Sequence, residues 1–453
     1  MKQLLPGDLG DWVERATGAR IAEVRPRGGG GASREGAELL LDYGDRTVRA
    51  YMNYDVNRAG AGDDAAFLRE AAILRALSGP LSRSGVRTAR LLASIPERRA
   101  LIAEHVGGES SFNRLTAPAD RLAVASDFMA QLAALHRIEL AEPIEGMGPL
   151  RPIAATVRER LAQLRERNDA NGSDPLIALT LDWLGDNIPP EPARIVVVHG
   201  DAGPANFLYA DGEVMALLDW ELVHYGDPMA DLAMLCLRML FQPFVPLPDA
   251  FEAYEAAGGV AVDLDRVRFW RLFFQVGFAN RARYDDPAAP PPPNLGMNMV
   301  YSTIHRRVLA EALAEVSQVD LPLVPLPEAP PARHDRSYAI ALDDLRDFIV
   351  PRLTDQQAAV KAKGLARLVK WWRTIERLGP GYEAAERREL SEAFGQDFTT
   401  LAASRSALGQ AVAARTLDHA TAIRLCHAQV TRDAALMADA MGGIADTRFA
   451  PLA

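Results

Sequence analysis

Cysteine is nearly absent from this chain of 453 residues: only Cys236 and Cys426 occur, far apart and each in a helical context. Two isolated thiols give no support to a disulfide framework or a zinc site, and they fit reduced core residues in a cytoplasmic protein. Long apolar runs are missing too. No stretch reaches eighteen apolar residues, so no membrane span is expected. The N-terminus, M-K-Q-L-L-P-G-D-L-G-D-W, carries acids where a signal peptide needs an apolar core. Excess positive charge is lacking: the net charge is −10, which argues against a nucleic-acid partner. The sharpest absence is lysine. None occurs between Lys2 and Lys361, so any permanent cation in that long interval is an arginine.

What is present is ordinary for a folded protein, with 49% hydrophobic and 24% charged residues. The most informative stretch reads H-G-D-A-G-P-A-N over residues 199–206, followed by L-L-D-W-E at 217–221. Arg194 to Val198 is a short β-branched run, which predicts a buried strand delivering Asp201 to a loop. Gly203 and Pro204 forbid a helix there. Asp211-Gly212 is a two-residue hairpin signal between Asn206-Phe-Leu-Tyr and Glu213 to Asp219. A hairpin returns Asp219 to the neighbourhood of Asn206. An acid, an amide and a second acid then converge, the set that phosphoryl-transfer enzymes use. In that reading Asp201 meets an attacking hydroxyl. Asn206 and Asp219 offer two hard oxygens, which suits magnesium held against ATP phosphates.

The wider pattern predicts an α+β protein. Residues 15–105 read as a small β-rich part, opened by the glycine-rich G-G-G-G-A-S at 28–33. Strands are expected at Glu38 to Tyr43, Thr47 to Met52, Arg90 to Ser94 and Ala100 to Glu104, with a helix at Ala65 to Ser78. Residues 106–318 read as mostly helical. Asp285 to Asn294 is a proline-rich surface loop, and residues 319–336 form a proline-rich linker. Residues 337–453 read as a separate all-helical domain, with Gly379-Pro380 ending one of its helices.

A phosphoryl-transfer site needs more than a metal corner. It needs a cation on the phosphates, an acid holding that cation, and backbone N–H groups over the triphosphate. Gly30, Gly31 and Ser33 supply the loop, and Glu70 sits in the following helix where the acid belongs. With lysine absent, Arg49 in the T-V-R-A strand is the best-placed cation, on the same face as Thr47. Glu104 and Val106, at the end of the last small-lobe strand, are placed to offer backbone groups to adenine. His199 is expected to brace the loop beside Asp201. Asp227 and Asp231 read as acids at a helix N-terminus that fix the same loop. Glu221 reads either as a supporting group or as a substrate contact.

These residues resemble the aminoglycoside phosphotransferase and choline kinase group. The resemblance is carried by G-G-A-S-R-E at 30–35, R-E-A-A-I-L-R-A-L at 69–77, L-A-A-L-H at 132–136, H-G-D-A-G-P-A-N-F at 199–207, L-L-D-W-E at 217–221 and G-D-P-M-A-D-L-A at 226–233. It spans roughly residues 15–310, and the use of arginine looks like the branch of kinase-like domains associated with acyl-CoA dehydrogenases. The resemblance implies a two-lobed protein-kinase-like fold within residues 1–318, with ATP between the lobes. It implies Asp201 as catalytic base and Asn206 and Asp219 as magnesium ligands. Residues 337–453 are similar to a small helical domain of unknown function.

The expected activity is transfer of the ATP γ-phosphoryl group to a small-molecule hydroxyl. The branch implies a hydroxyacyl-CoA or related hydroxy compound as acceptor. A cationic aminoglycoside is the alternative acceptor, and Arg281 and Arg283 suit an anionic one. A non-catalytic nucleotide-binding scaffold is the alternative class. A Ser-His-Asp hydrolase lacks its G-x-S-x-G elbow.

Overall fold

A computed structural model describes residues 4–27, 34–55, 64–280 and 292–453. Gly30, Gly31, Ser33, Arg281 and Arg283 therefore lie outside the described residues, as does most of the proline-rich loop before Asn294.

The chain begins with α1 (Leu9–Thr17), β1 (Arg20–Arg27), β2 (Glu35–Asp42), β3 (Thr47–Tyr54), α2 (Asp64–Ser78), β4 (Leu91–Ile95), β5 (Ala100–Glu104) and α3 (Pro118–His136). Two helices follow, α4 (Ile153–Ala170) and α5 (Pro175–Asp186). Next come β6 (Val196–Val198), β7 (Phe207–Ala210), β8 (Glu213–Leu217), β9 (His224–Gly226) and α6 (Pro228–Arg238). The remainder is helical: α7 (Leu247–Ala256), α8 (Leu264–Ala279), α9 (Leu295–Val316), α10 (Asp335–Asp343), α11 (Gln356–Phe394), α12 (Leu401–Ala413) and α13 (His419–Met441). The α+β expectation thus holds, with a helical C-terminal region. No described helix is long and apolar enough to cross a membrane.

Two compact units form. The first comprises Met1–Ile153, Glu191–Val267 and Ala450–Ala453. Its antiparallel sheet runs in the order β1-β2-β3-β5-β4. Strand alternation turns Ala37, Leu39, Leu41, Ala50, Met52, Tyr54 and Ile102 to one face, where they are buried with Leu9 and Val13 of α1. The opposite side of β3 carries Arg49, Tyr51 and Asn53. The sequence reading did not identify β1, because R-I-A-E-V-R-P-R mixes charges into its alternation. Its pairing to β2 includes an irregularity between Ile21 and Glu23.

The second unit comprises Ala154–Pro190 and Arg268–Phe449. Its helices α9, α11 and α13 pack through buried Val300, Ile304, Leu313, Val369, Ile423 and Val430. Arg306 pairs with Asp174 at 2.5 Å, and Arg405 grips both oxygens of Glu386 at 2.6 and 2.8 Å. The helices after residue 335 therefore share a compact unit with α5 and α9. The expected stop at Gly379-Pro380 is corrected: α11 runs through Pro380 for 39 residues. A proline removes one intrahelical bond, and buried Val369, Tyr382 and Leu390 on either side keep the helix going by packing.

Candidate active site

The site lies in the first unit and begins with a strand that is short but fully buried. Val196, Val197 and Val198 of β6 pair with His224–Gly226 of β9 and carry the chain to His199. The turn that follows is set by a glycine. Gly200 has φ +84°, and a Cβ there would meet the Leu222 carbonyl oxygen at 2.2 Å.

Asp231 bolts this turn in place. One of its oxygens accepts from the His199 N–H at 2.8 Å, and the other from the Gly200 N–H at 2.9 Å. His136 of α3 meets the first oxygen through Nε2 at 3.0 Å, and its Nδ1 lies 2.8 Å from the Tyr254 hydroxyl. With Tyr254 donating, Nε2 carries the imidazole proton. Asp231 is fully buried. Burial alone would push its carboxyl up, but the bond from His136, His199 nearby and the Gly200 N–H together hold it below the usual range. The L-A-A-L-H phrase and the second acid of G-D-P-M-A-D-L-A therefore meet. Asp227 does different work: it caps α6 through the Met229 N–H at 2.9 Å and takes Arg266 Nε at 2.9 Å.

His199 is buried against Trp220, with ring centroids 4.6 Å apart. Its Nε2 lies 2.9 Å from the Leu218 carbonyl, and its Nδ1 accepts the Asp201 N–H at 3.3 Å. Burial pushes its pKa down, so it stays neutral and ties β8 to the loop.

Asn206 closes the loop on Asp201. Its Nδ2 donates to the Asp201 carbonyl and to Oδ2, both at 2.8 Å. Arg238, at the end of α6, also binds Oδ2. Both partners choose that oxygen, and neither engages Oδ1. Gly203 makes room for this arginine: a Cβ there would sit 2.8 Å from the Arg238 side chain. Sequence reasoning missed Arg238. Its signal was a lone cation inside the apolar run L-A-M-L-C-L-R-M-L.

The hairpin brings back the second acid. Asp211 (φ +50°) and Gly212 (φ +84°) form the turn between β7 and β8, and the Leu218 N–H donates to the Asn206 carbonyl at 2.8 Å. Asp219 follows at once with φ +62°, and Ala205 before Asn206 has φ +73°. Two left-handed non-glycine residues thus flank the metal-type oxygens, where strain is commonly held. Asp219 keeps exposed surface, yet crowding by protein disfavours its charge, and Glu221 and Asp201 add repulsion. Its pKa is pushed up to about 6. Glu221 therefore acts electrostatically on Asp219.

Glu70 is buried in α2, but its expected partnership with Arg49 is corrected. The carboxylate pairs with Arg34, Nη1 to Oε2 at 2.6 Å. Arg49 is exposed on β3, opposite Leu40 in register. Burial still pushes the Glu70 carboxyl up despite Arg34, with Asp219 and Glu221 adding repulsion. Glu104 pairs by its side chain with Arg90, and its N–H donates to the Arg90 carbonyl at 2.8 Å. The His105 N–H is taken by the Arg49 carbonyl at 2.9 Å. Val106 follows in extended chain, half-buried.

The donor set fits magnesium. Two hard oxygens, Asn206 Oδ1 and the Asp219 carboxylate, are few enough for an ion completed by phosphates. Asp201, Asp219 and Glu221 crowd negative charge that Arg238 offsets only in part, and a divalent cation would relieve the rest. Among the described residues, no group of three or more acids, histidines or cysteines forms a closed metal cage.

Residues 53–270 match the model of the phosphotransferase enzyme family. Acyl-CoA dehydrogenase family member 11 of Gallus gallus is 31% identical over 122 residues, 26% of this chain and 15% of that protein. Its Homo sapiens namesake is 30% identical over 167 residues, 35% of this chain and 21% of that protein. The match thus spans about a fifth or less of these relatives' length. A solved structure from Ralstonia eutropha, provisionally assigned as an aminoglycoside phosphotransferase, is similar with a TM-score of 0.52 at 21% identity, over 68% of this chain and 97% of that one. That likeness shows the fold. The chain thus has a kinase-like fold, and its residues 53–270 are similar to the phosphotransferase enzyme family.

Proposed function

We propose that this protein is a magnesium-dependent kinase that transfers the γ-phosphoryl group of ATP to a hydroxyl of a small molecule. The observation that carries the reading is the single corner formed by Asp201, Asn206 and Asp219, held by the buried His136–Asp231 pair. Asp201 Oδ1 takes the proton of the acceptor hydroxyl as its oxygen bonds to the γ-phosphorus. The bond from that phosphorus to the bridging oxygen of ADP breaks, and ADP leaves with the electron pair. Asn206 and Asp219 would hold magnesium, which neutralises phosphate charge when bound. Asn206 and Arg238 fix Oδ2, so the base is oriented before substrate arrives. Glu104 and Val106 would offer backbone groups to adenine, and the glycine-rich segment with Gly30, Gly31 and Ser33 is the proposed cover for the triphosphate.

The acceptor we favour is a hydroxyacyl-CoA or related hydroxy compound, on the kinship with acyl-CoA dehydrogenase family members. A cytoplasmic setting fits two buried cysteines, neither of them in a disulfide. The test is an ADP-release screen with magnesium and ATP across hydroxyacyl-CoAs and aminoglycosides, using Asp201→Ala as control. Release with the acyl-CoA panel alone supports the reading. Release with aminoglycosides alone overturns the acceptor class. ATP binding with no turnover on either panel favours a scaffold.

A further inference from the structure

We propose that Arg34, at the exit of the glycine-rich segment, is the side chain that grips the nucleotide phosphates, in place of any cation on β3. The proposal rests on the nucleotide-kinase reading above and deepens it. With no lysine between Lys2 and Lys361, the gripping cation must be an arginine. On β3 the only candidate is Arg49, which is exposed at the start of the strand and opposite Leu40. Further along the same face stands Tyr51. A Cβ on Gly36 would meet its hydroxyl at 2.1 Å, so the tyrosine ring lies over the opening of β2. A neutral ring thus occupies the part of β3 beside Gly36.

Arg34 fills the gap from the neighbouring strand. It directly precedes β2, and its Nη1 meets Glu70 Oε2 at 2.6 Å. The pair is sheltered: side-chain exposure is 19% for Arg34 and 5% for Glu70. The guanidinium also lies 6.0 Å from the centre of the Phe67 ring. A carboxylate and a ring together fix one orientation of a planar fork, and Nη1 is only one of its three nitrogens. Arg34 is also close enough to Asp219 for its charge to favour that carboxylate, as Arg238 does from the other direction. A triphosphate held beside Asp219 would therefore feel the charge of both arginines. Placing the cation on β2 rather than β3 keeps the acid on α2 and changes only the strand that answers it.

The experiment is calorimetric titration of the full chain with ATP and magnesium, and with AMP, for wild type, Arg34→Ala, Arg34→Lys and Arg49→Ala. Arg34→Ala should weaken ATP binding about thirtyfold, equivalent to ~2 kcal/mol for charge-assisted bonds, and leave AMP binding within about twofold. Retained AMP binding reports a folded site. Arg34→Lys should recover part of the ATP affinity, because charge is kept and the fork is lost. Arg49→Ala should bind ATP as wild type does. ATP affinity unchanged in Arg34→Ala, or lost in Arg49→Ala alone, overturns the assignment while leaving the kinase reading intact. Wild type that binds no ATP overturns the kinase reading and this assignment with it.

Discussion

The His199–Asp219 loop and the cation pair of α2 sit in the same unit but are built by different rules. From His199 to Asp219 every brace is local or comes from a helix that packs on the loop. Neutral His199 and Asn206 position Asp201, and one buried acid, Asp231, anchors the turn. The Arg34–Glu70 pair joins residues 36 positions apart and relies on charge. The loop is preorganised by hydrogen bonds that need no ligand. The pair brings a guanidinium to a buried carboxylate, and taking both charges out of water costs much of what their attraction returns. The difference separates chemistry from binding: the loop should govern turnover, and the pair should govern nucleotide affinity.

The strongest way to break that comparison is at Asp201. Asp201→Ala should lower transfer by roughly a hundredfold to ten-thousandfold, the usual worth of a general base, and spare ATP affinity. Steady-state kinetics beside calorimetry would show it; equal losses in both would erase the distinction. Asp231→Ala comes next, on stability. It strands two N–H groups and the His136 proton, so unfolding should become easier by about 3–5 kcal/mol in a urea titration. Because the Asp231 carboxyl is held below its ordinary range, its stabilising share is complete above the unfolded pKa. That share is lost as pH falls through the native value, and the alanine variant should lack this acid-side loss.

Asp219 gives the pH test. Its native pKa is raised to about 6, so the folded state binds the proton more tightly than the unfolded chain does. Without metal, this group favours folding less as pH rises from the ordinary carboxylate range to about 6. Asp219→Asn should therefore raise the melting temperature at neutral pH and abolish turnover, a gain in stability at the expense of function. Magnesium affinity of the wild type should fall below pH 6, with protons released on binding. A flat magnesium affinity from pH 5 to 8 would contradict the crowded-carboxylate account. The smallest effect belongs to Ala205→Gly. Removing the Cβ at φ +73° should stabilise the protein by about 1 kcal/mol, less the entropy glycine adds to the unfolded chain.

The two regions also differ in how far the sequence disclosed them. The strand, the turn and the Asp211-Gly212 hairpin were legible because short-range rules determine them. Arg34 was not, because its neighbours read only as a glycine-rich loop and strand alternation favoured Arg49. Asp231 looked like one more acid at a helix start. Its bond to His136 crosses 95 positions, and periodicity carries no information about such a pairing. Arg238 was visible only as a charge in an apolar helix. Pro380 was read by its local propensity, and the buried residues around it overrode that preference.

The central claim is that Asp201 drives transfer of a phosphoryl group to a hydroxyl. The most direct measurement follows γ-labelled ATP by mass spectrometry in the presence of a hydroxyacyl-CoA panel, with wild type and Asp201→Asn side by side. The account predicts label on the acceptor hydroxyl with wild type only, matched by released ADP. Label transferred equally by both proteins, or ADP formed with label only in free phosphate, would contradict it.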